Sequence, residues 1–131
     1  MQGRESYNLS EDDGRVLVVE DEHVSRKALT LLLNACGYDT LSAGSAEEAI
    51  RLLGSEQAPN IALVDVDLPG MSGLDLAARL EKTQPEVFTV LITAAEGERI
   101  DNFVRDHPVT YLRKPLDFDE LLEVLSEVHA H

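Results

Sequence analysis

The chain has 131 residues, of which 44% are apolar, and its formal net charge is −14. The length suits one domain with its own core, and the excess of acidic residues argues against binding DNA or RNA through their phosphates. No apolar run approaches the roughly 20 residues of a membrane-spanning helix, so we expect no membrane association. The N-terminal residues lack the apolar core of a secretory signal, and one cysteine cannot form an internal disulfide, so we expect a cytoplasmic location.

Strand-like and helix-like patterns alternate along the chain after an acidic N-terminal segment. Residues 1–13 are polar and predict a flexible tail, which is followed by one domain at 14–131. Strands are predicted at 15–20, 38–43, 60–65, 87–93 and 109–112. Helices are predicted at 24–35, 45–55, 72–84, 96–107 and 117–130. This strict alternation predicts an α/β fold in which a parallel sheet has helices on both faces.

The first predicted helix is defined by apolar residues at helical spacing and by the residue that follows it. The apolar positions are Ala28, Leu29, Leu31, Leu32 and Ala35. Gly37 lies just beyond them, and a glycine there is typical of a helix C-terminal cap. We expect Cys36, between the helix and this cap, to be a small core residue.

Polar side chains stand where four of the five predicted strands end. The first strand ends in Glu20 and Asp21, the third ends in Asp65, the fourth ends in Thr93, and Lys114 follows the fifth. In open parallel sheets, ligands bind at the carboxyl ends of the strands, so these side chains are expected to converge. Carboxylates suit a hard cation that keeps several waters, while a hydroxyl and an ammonium group suit phosphoryl oxygens. The pattern therefore predicts a site for Mg²⁺ and a phosphoryl group.

Each of these residues, and Tyr111 in the fifth predicted strand, also has a plainer explanation when it is considered alone. Asp65 could cap the turn after its strand. Glu20 and Asp21 could be a solvated charge pair, or Asp21 could cap the first helix. Thr93 could be an ordinary β-branched strand residue, Lys114 a solvated surface lysine, and Tyr111 a half-buried strand aromatic. The convergence of three carboxylates, a hydroxyl and a lysine on one sheet edge favours the functional interpretation.

Four segments of the chain resemble the receiver domains of two-component response regulators. They are VLVVEDE at 16–22, ALVDVDLPGMSGLDL at 62–76, LITAA at 91–95 and YLRKP at 111–115. They occur in the family's order, at strand ends, and the resemblance covers roughly residues 14–130. It implies a flavodoxin-like (βα)5 fold with a five-stranded parallel sheet in the order 2-1-3-4-5.

The resemblance also implies how the acidic residues act. Asp65 would be the phosphoacceptor, a carboxylate nucleophile that forms an acyl phosphate. Asp21 and Asp65 would bind Mg²⁺ as the cofactor, with Glu20 beside them. Asp67 would offer its backbone carbonyl to the metal, although its side chain alone reads as that of a turn former near water.

Three further residues near the sheet edge receive roles from the resemblance. Thr93 and Lys114 would contact the oxygens of the phosphoryl group. Thr93 and Tyr111 would form the switch, because an inward shift of Thr93 leaves space for Tyr111 to turn in. The bond between Lys114 and Pro115 is expected to be cis.

The implied function is a signalling module, whose only catalysis is its own phosphoryl transfer and autodephosphorylation. Its partners would be a sensor histidine kinase or a phosphotransfer protein, and then a downstream protein target or an attached output domain. A homodimer could form on phosphorylation. Two alternatives stay open: a degenerate receiver that acts by constitutive binding, and an aspartyl-phosphate phosphohydrolase. The second is raised by Asp-x-Asp at 65–67, which resembles the start of haloacid-dehalogenase-type phosphatases, but the chain lacks the length for their cap.

Overall fold

The computed structural model, which describes residues 14–55, 58–94 and 98–129, contains one five-stranded sheet. The strands are β1 Arg15–Val19, β2 Asp39–Ala43, β3 Ile61–Asp65, β4 Phe88–Thr93 and β5 Val109–Arg113. The helices are α1 His23–Ala35, α2 Ala46–Leu53, α3 Gly73–Thr83, α4 Glu98–Asp106 and α5 Phe118–His129. The predicted alternation is confirmed, and element ends agree to within a residue or two. The predicted tail at 1–13 lies outside the described residues.

The order of the strands in the sheet is β2-β1-β3-β4-β5, and all four pairings are parallel. The expected order is therefore confirmed. The chain turns outward to β2 after β1 and then crosses back to β3, so β1 and β3 are neighbours whose following helices lie on opposite faces. The carboxyl ends of β1 and β3 consequently meet at the point where a parallel sheet leaves an open crevice.

Two apolar cores lie on the two faces of the sheet, because successive residues of a strand point to opposite sides. Val16 and Val18 pack with α1 and α5, whereas Leu17 and Val19 pack with α2, α3 and α4. These four side chains are almost fully buried, whereas Arg15 at the start of β1 is partly exposed. This double burial explains why β1 is a continuous run of apolar residues rather than an alternating one.

Helix α1 buries a narrower face than its apolar content indicates. Leu29 and Leu33 are buried, whereas Val24, Leu31 and Leu32 are 69%, 58% and 45% exposed. Of the five residues that predicted this helix, only Leu29 is buried, and the other four are exposed. The helix was predicted correctly, but its spacing pattern did not identify the face that contacts the sheet.

The expectation for Cys36 was wrong, because this residue is exposed. Cys36 is the C-cap of α1, and its backbone N–H donates to the carbonyls of Leu32 and Leu33. Gly37 follows with a φ of 98°, in the left-handed region that glycine adopts without strain. The predicted glycine cap is confirmed.

A histidine connects the segment between α4 and β5 to α3. The Nδ1 atom of His107 lies 2.6 Å from Oε1 of Glu81 on α3. The His107 ring stacks on Phe103 of α4, with ring centroids 3.9 Å apart and an interplanar angle of 16°. Because His107 precedes β5, this connection lies at the amino-terminal edge of the sheet, opposite the edge where Asp65 stands.

Candidate functional site

Asp65 occupies the centre of the carboxyl edge of the sheet. It is the last residue of β3, between β1 and β4, and is 2% exposed. Glu20 follows the neighbouring strand β1 and is 6% exposed, whereas the next residue, Asp21, is exposed. Thr93 ends β4 on the other side and is fully buried. The structure therefore brings together the strand-end residues that the sequence predicted.

The loop from β1 to α1 is folded back by two glutamates. The Glu22 N–H donates to Oε2 of Glu20 at 3.0 Å. The Glu22 carboxylate in turn accepts the N–H of Ser25 at 2.8 Å and caps α1. Its hydrogen bonds with the hydroxyl and N–H of Ser25 lower the pKa of Glu22. Glu22 rather than Asp21 is thus the helix cap, which leaves the Asp21 carboxylate exposed at the crevice.

The Asp65 carboxylate has a defined partner on each oxygen. Oδ2 accepts from Nζ of Lys114 at 3.0 Å, and Oδ1 accepts from the Asp67 N–H at 3.0 Å. The Asp65 side chain is 3% exposed and that of Lys114 is 35% exposed, so the lysine approaches from the solvent side. A buried carboxylate is costly without such partners, and the lysine supplies the opposite charge.

Lys114 is brought to Asp65 from the end of β5. Its N–H donates to the Thr93 carbonyl at 2.9 Å, and the peptide bond to Pro115 is cis, as expected. Burial alone would lower the pKa of Lys114, but its hydrogen bond with Asp65 and the charges of Asp65, Glu20 and Asp67 raise it above its ordinary value. The ammonium group is therefore held in its charged form beside the carboxylates.

Glu20, Asp21 and Asp65 form a cluster in which one oxygen from each lies within 4.8 Å of the others. Carboxylate oxygens are the protein ligands that Mg²⁺ prefers, so these three residues would hold one such ion. Burial raises the pKa of Glu20, and the neighbouring Asp65 carboxylate raises it further. This repulsion is what a bound cation would relieve, so the donor set fits the implied metal.

Asp67 lies at the rim of the site. It is exposed, and its N–H rather than its side chain contacts Asp65. This contact is the turn expected of an aspartate two residues beyond a strand end. The role of its carbonyl as a metal ligand stays a prediction.

Tyr111 and Thr93 lie on adjacent strands and point to the same face of the sheet. Tyr111 pairs with Leu91 in the β4–β5 register, and Thr93 is two residues farther along β4. Tyr111 is half-buried and packs against the core that contains Leu91 and Ile100. The arrangement is compatible with a coupled Thr–Tyr movement, and the switch itself stays a prediction.

Glu20→Gln is expected to stabilise the metal-free protein at pH 7 by about 1 kcal/mol, or roughly 4 °C in Tm. A carboxyl group whose pKa is raised by folding adds stability below its unfolded pKa, and this contribution is lost as pH rises through the folded pKa. The gain from glutamine should therefore be largest near neutral pH and vanish below the ordinary pKa of glutamate.

Thermal melts in a chelator between about pH 4 and pH 8 measure this dependence. Glu123→Gln is the matched control, since Glu123 is exposed on α5 and should show little change at any pH. Equal stability of Glu20→Gln and the parent at pH 7 would show that the carboxylates do not repel one another in the folded protein.

Comparisons with known proteins agree with this geometry. A family model described as the response regulator receiver domain matches residues 16–126. The sporulation initiation phosphotransferase F of Bacillus subtilis is 26% identical over 114 residues, which cover 86% of this chain and 91% of that protein. A cyclic di-GMP phosphodiesterase of Thermotoga maritima is 34% identical over 116 residues, or 88% of this chain.

One solved structure that resembles the fold is the response regulator TrrA of Thermotoga maritima in complex with Mg²⁺ and BeF. It superposes with a TM-score of 0.77 at 30% identity and covers 88% of this chain and 98% of that structure. The chain spans only 30% of the phosphodiesterase, so the shared part of that relative is one segment of a longer protein. No helix within the described ranges combines the length and apolar character that crossing a bilayer requires.

The strand order, the acidic crevice and the matched family model together show that the chain belongs to the response regulator receiver domains, the signalling modules of two-component systems.

Proposed function

We propose that the protein is a phosphorylation-controlled switch in which Asp65 accepts a phosphoryl group in a Mg²⁺-dependent reaction. The observation that carries this proposal is the position of Asp65, which is buried between the Lys114 ammonium group and the carboxylates of Glu20 and Asp21. A carboxylate, a cation site and an ammonium group are the parts that in-line phosphoryl transfer requires.

The donor is the phosphohistidine of a histidine kinase or a phosphotransfer protein. An oxygen of Asp65 attacks the phosphorus atom, a P–O bond forms and the P–N bond to the imidazole breaks. The imidazole leaves with the bonding electron pair, so no oxidant or further reactant is needed. The product is a mixed anhydride on Asp65, which water can later cleave to restore the carboxylate.

The residues around Asp65 have two separate roles in this transfer, which are to bind the metal and to contact the phosphoryl oxygens. Glu20, Asp21 and Asp65 would hold Mg²⁺, which supplies positive charge to the phosphoryl oxygens. The TrrA relative was solved in complex with Mg²⁺ and BeF, which supports Mg²⁺ as the metal. Lys114 would move its hydrogen bond from Oδ2 of Asp65 to an oxygen of the incoming group. Thr93, which is buried at the end of β4, would donate a hydrogen bond from its hydroxyl to another oxygen of the phosphoryl group.

The switch would then proceed through Thr93 and Tyr111. A phosphoryl group that draws the Thr93 hydroxyl inward would open space next to β5, which Tyr111 would enter. Tyr111 is half-buried and pairs with Leu91, two residues before Thr93 on the neighbouring strand, which supports this route. Shifting a two-state equilibrium from 1:99 to 99:1 requires about 5.5 kcal/mol of differential interaction, which several charge-assisted contacts can supply.

The experiment that tests the proposal is intact mass spectrometry after incubation with Mg²⁺ and a small acyl-phosphate donor. The parent protein is expected to gain one phosphoryl group, whereas protein without metal and the variant Asp65→Asn gain none. Asn is nearly isosteric with Asp but lacks the anionic nucleophile, so the loss would be chemical rather than structural.

Two other results would overturn the proposal. No adduct on the parent, together with no binding of Mg²⁺ and BeF in a calorimeter, would show a degenerate receiver that acts by constitutive binding. Sustained turnover of a generic phosphate ester would show a phosphohydrolase instead.

Helix α1 offers a docking face for the donor protein. It begins two residues after Asp21, and it exposes Val24 and Leu31 at helical spacing along one side. Large apolar side chains exposed together next to a reaction site mark an interaction surface. The occupant proposed is the phosphohistidine-bearing protein, because it must approach this edge of the sheet to reach Asp65.

Val24→Ser combined with Leu31→Ser is expected to slow transfer from a phosphohistidine protein by about tenfold. The same variant should accept phosphate from a small acyl-phosphate donor at the parent rate, since neither residue contacts Asp65. Both rates follow from the mass of the product over time. An equal loss with both donors would locate the defect in the site rather than in docking.

A further inference from the structure

The Arg26 guanidinium lies behind the loop that carries Glu20 and Asp21. Its Nη1 donates to the Glu20 carbonyl at 2.8 Å and to the Asp21 carbonyl at 3.4 Å. Its Nη2 lies 3.2 Å from Nδ1 of His23. A side chain of α1 therefore holds the backbone of the two acidic residues that follow β1, and it does so through carbonyl oxygens rather than carboxylate oxygens.

The space for this guanidinium depends on Gly44, which follows β2. A Cβ atom at Gly44 would lie 3.2 Å from Nη1 of Arg26 and 3.7 Å from its Cζ. The backbone around this gap is fixed, because the Gly44 N–H donates to Oε1 of Glu48 at 2.8 Å and the Glu20 N–H donates to the Ala43 carbonyl at 3.0 Å. The end of β2 thus forms one wall of a slot that fits the arginine.

We infer that Arg26 is a positioning residue for the divalent cation. It holds the Glu20–Asp21 backbone so that both carboxylates stay close to Asp65 before any metal is bound. Three carboxylates within 4.8 Å repel one another, and without a tie the loop would relax away from Asp65. Because Arg26 donates its hydrogen bonds to carbonyl oxygens, the carboxylate oxygens of Glu20 and Asp21 stay available to the cation. This inference rests on the proposed magnesium site.

The sign of the effect separates positioning from charge. If Arg26 acted only through its charge, its removal would strengthen binding of a cation, since the site would become more negative. If it positions the loop, its removal weakens binding. Loss of groups that orient metal ligands typically weakens affinity by about tenfold or more. We therefore expect Arg26→Ala to raise the Kd for Mg²⁺ by about tenfold.

Calorimetric titration with Mg²⁺ alone tests this, with Lys27→Ala as the matched control. Lys27 is the next residue on α1, carries the same charge and is exposed, so its removal should leave Kd unchanged or slightly lower. Gly44→Ala keeps every charge, and its Cβ would press closest on Nη1 of Arg26, at 3.2 Å, while meeting Oε1 of Glu48 at an ordinary 3.7 Å, so it should raise Kd by a few fold. Urea unfolding of each variant in a chelator distinguishes this effect from a loss of folding stability.

The titrations distinguish a failure of the proposed function from a failure of the positioning role of Arg26. A parent that does not bind Mg²⁺ overturns the proposed function itself. A parent that binds, with Arg26→Ala and Gly44→Ala binding equally well or more tightly, overturns the positioning role alone. If Arg26→Ala does not fold, Arg26→Lys takes its place, because a lysine keeps the charge but lacks the planar fork. Parent-like affinity in Arg26→Lys and Gly44→Ala would again refute the inference.

Discussion

Lys114→Ala is expected to slow phosphorylation of Asp65 by about 10²–10³-fold at saturating Mg²⁺. In the structure, Nζ of Lys114 lies 3.0 Å from Oδ2 of Asp65, where it can follow the charge that moves onto the phosphoryl oxygens during transfer. Without Lys114, the phosphoryl oxygens lose a positively charged hydrogen-bond donor that is already in position before the transfer. The Mg²⁺ affinity should stay the same or increase, because the variant removes a cation next to three carboxylates.

The rate of mass gain with a small acyl-phosphate donor, measured beside the Mg²⁺ titration, checks both parts. Lys82→Ala is the control, since Lys82 is exposed on α3 and should phosphorylate like the parent. A rate for Lys114→Ala within about threefold of the parent would mean that the lysine serves only to neutralise buried Asp65. A simultaneous loss of Mg²⁺ binding would instead indicate that the crevice has rearranged.

Gly73→Ala is expected to destabilise the protein by roughly 3 kcal/mol or more. A Cβ atom at Gly73 would lie 2.2 Å from the Asp65 carbonyl oxygen and 2.7 Å from Cα of Val66. Both neighbours are backbone atoms of the strand end that carries the phosphoacceptor, so the collision cannot be relieved by turning a side chain. Either α3 moves away from β3 or the end of β3 shifts, and both disturb Asp65.

Urea unfolding measures the loss, and Gly54→Ala serves as the control. Gly54 caps α2 with a φ of −82°, and a Cβ there meets nothing closer than 3.6 Å, so alanine should be nearly neutral or slightly stabilising. Similar stabilities for the two variants would show that α3 can retreat from β3 without cost.

The strands and the strand-end residues could be predicted because each depends on a local signal. Strands β1, β3 and β4 are runs of apolar residues that only double burial explains, and a parallel sheet places their ends at one edge. Asp65 and Lys114 follow from that rule, even though they are 49 residues apart in the chain. The contact between them needed no prediction of side-chain packing.

Features that depend on how elements pack could not be predicted in this way. Apolar residues lie on most sides of α1, so the sequence alone did not indicate that Leu29 and Leu33, rather than Leu31 and Leu32, face the sheet. The need for glycine at Gly73 comes from the close approach of α3 to the β3 backbone, not from an unusual φ. In the sequence Arg26 resembles any surface charge on a helix, and its contact with the Glu20 carbonyl depends on how α1 packs against the loop.

The contact between His107 and Glu81 holds one end of α4 in place. The His107–Glu81 hydrogen bond and the stacking of His107 on Phe103 connect the last turn of α4 to α3, at the sheet edge remote from Asp65. The first turn of α4 instead follows Thr93 closely in the chain. A rod of nine residues spans about 13 Å, so a swing of about 10° around the fixed end carries the other end roughly 2 Å. Motion that starts at Thr93 would thus be largest beside the site where it begins and would fade toward His107.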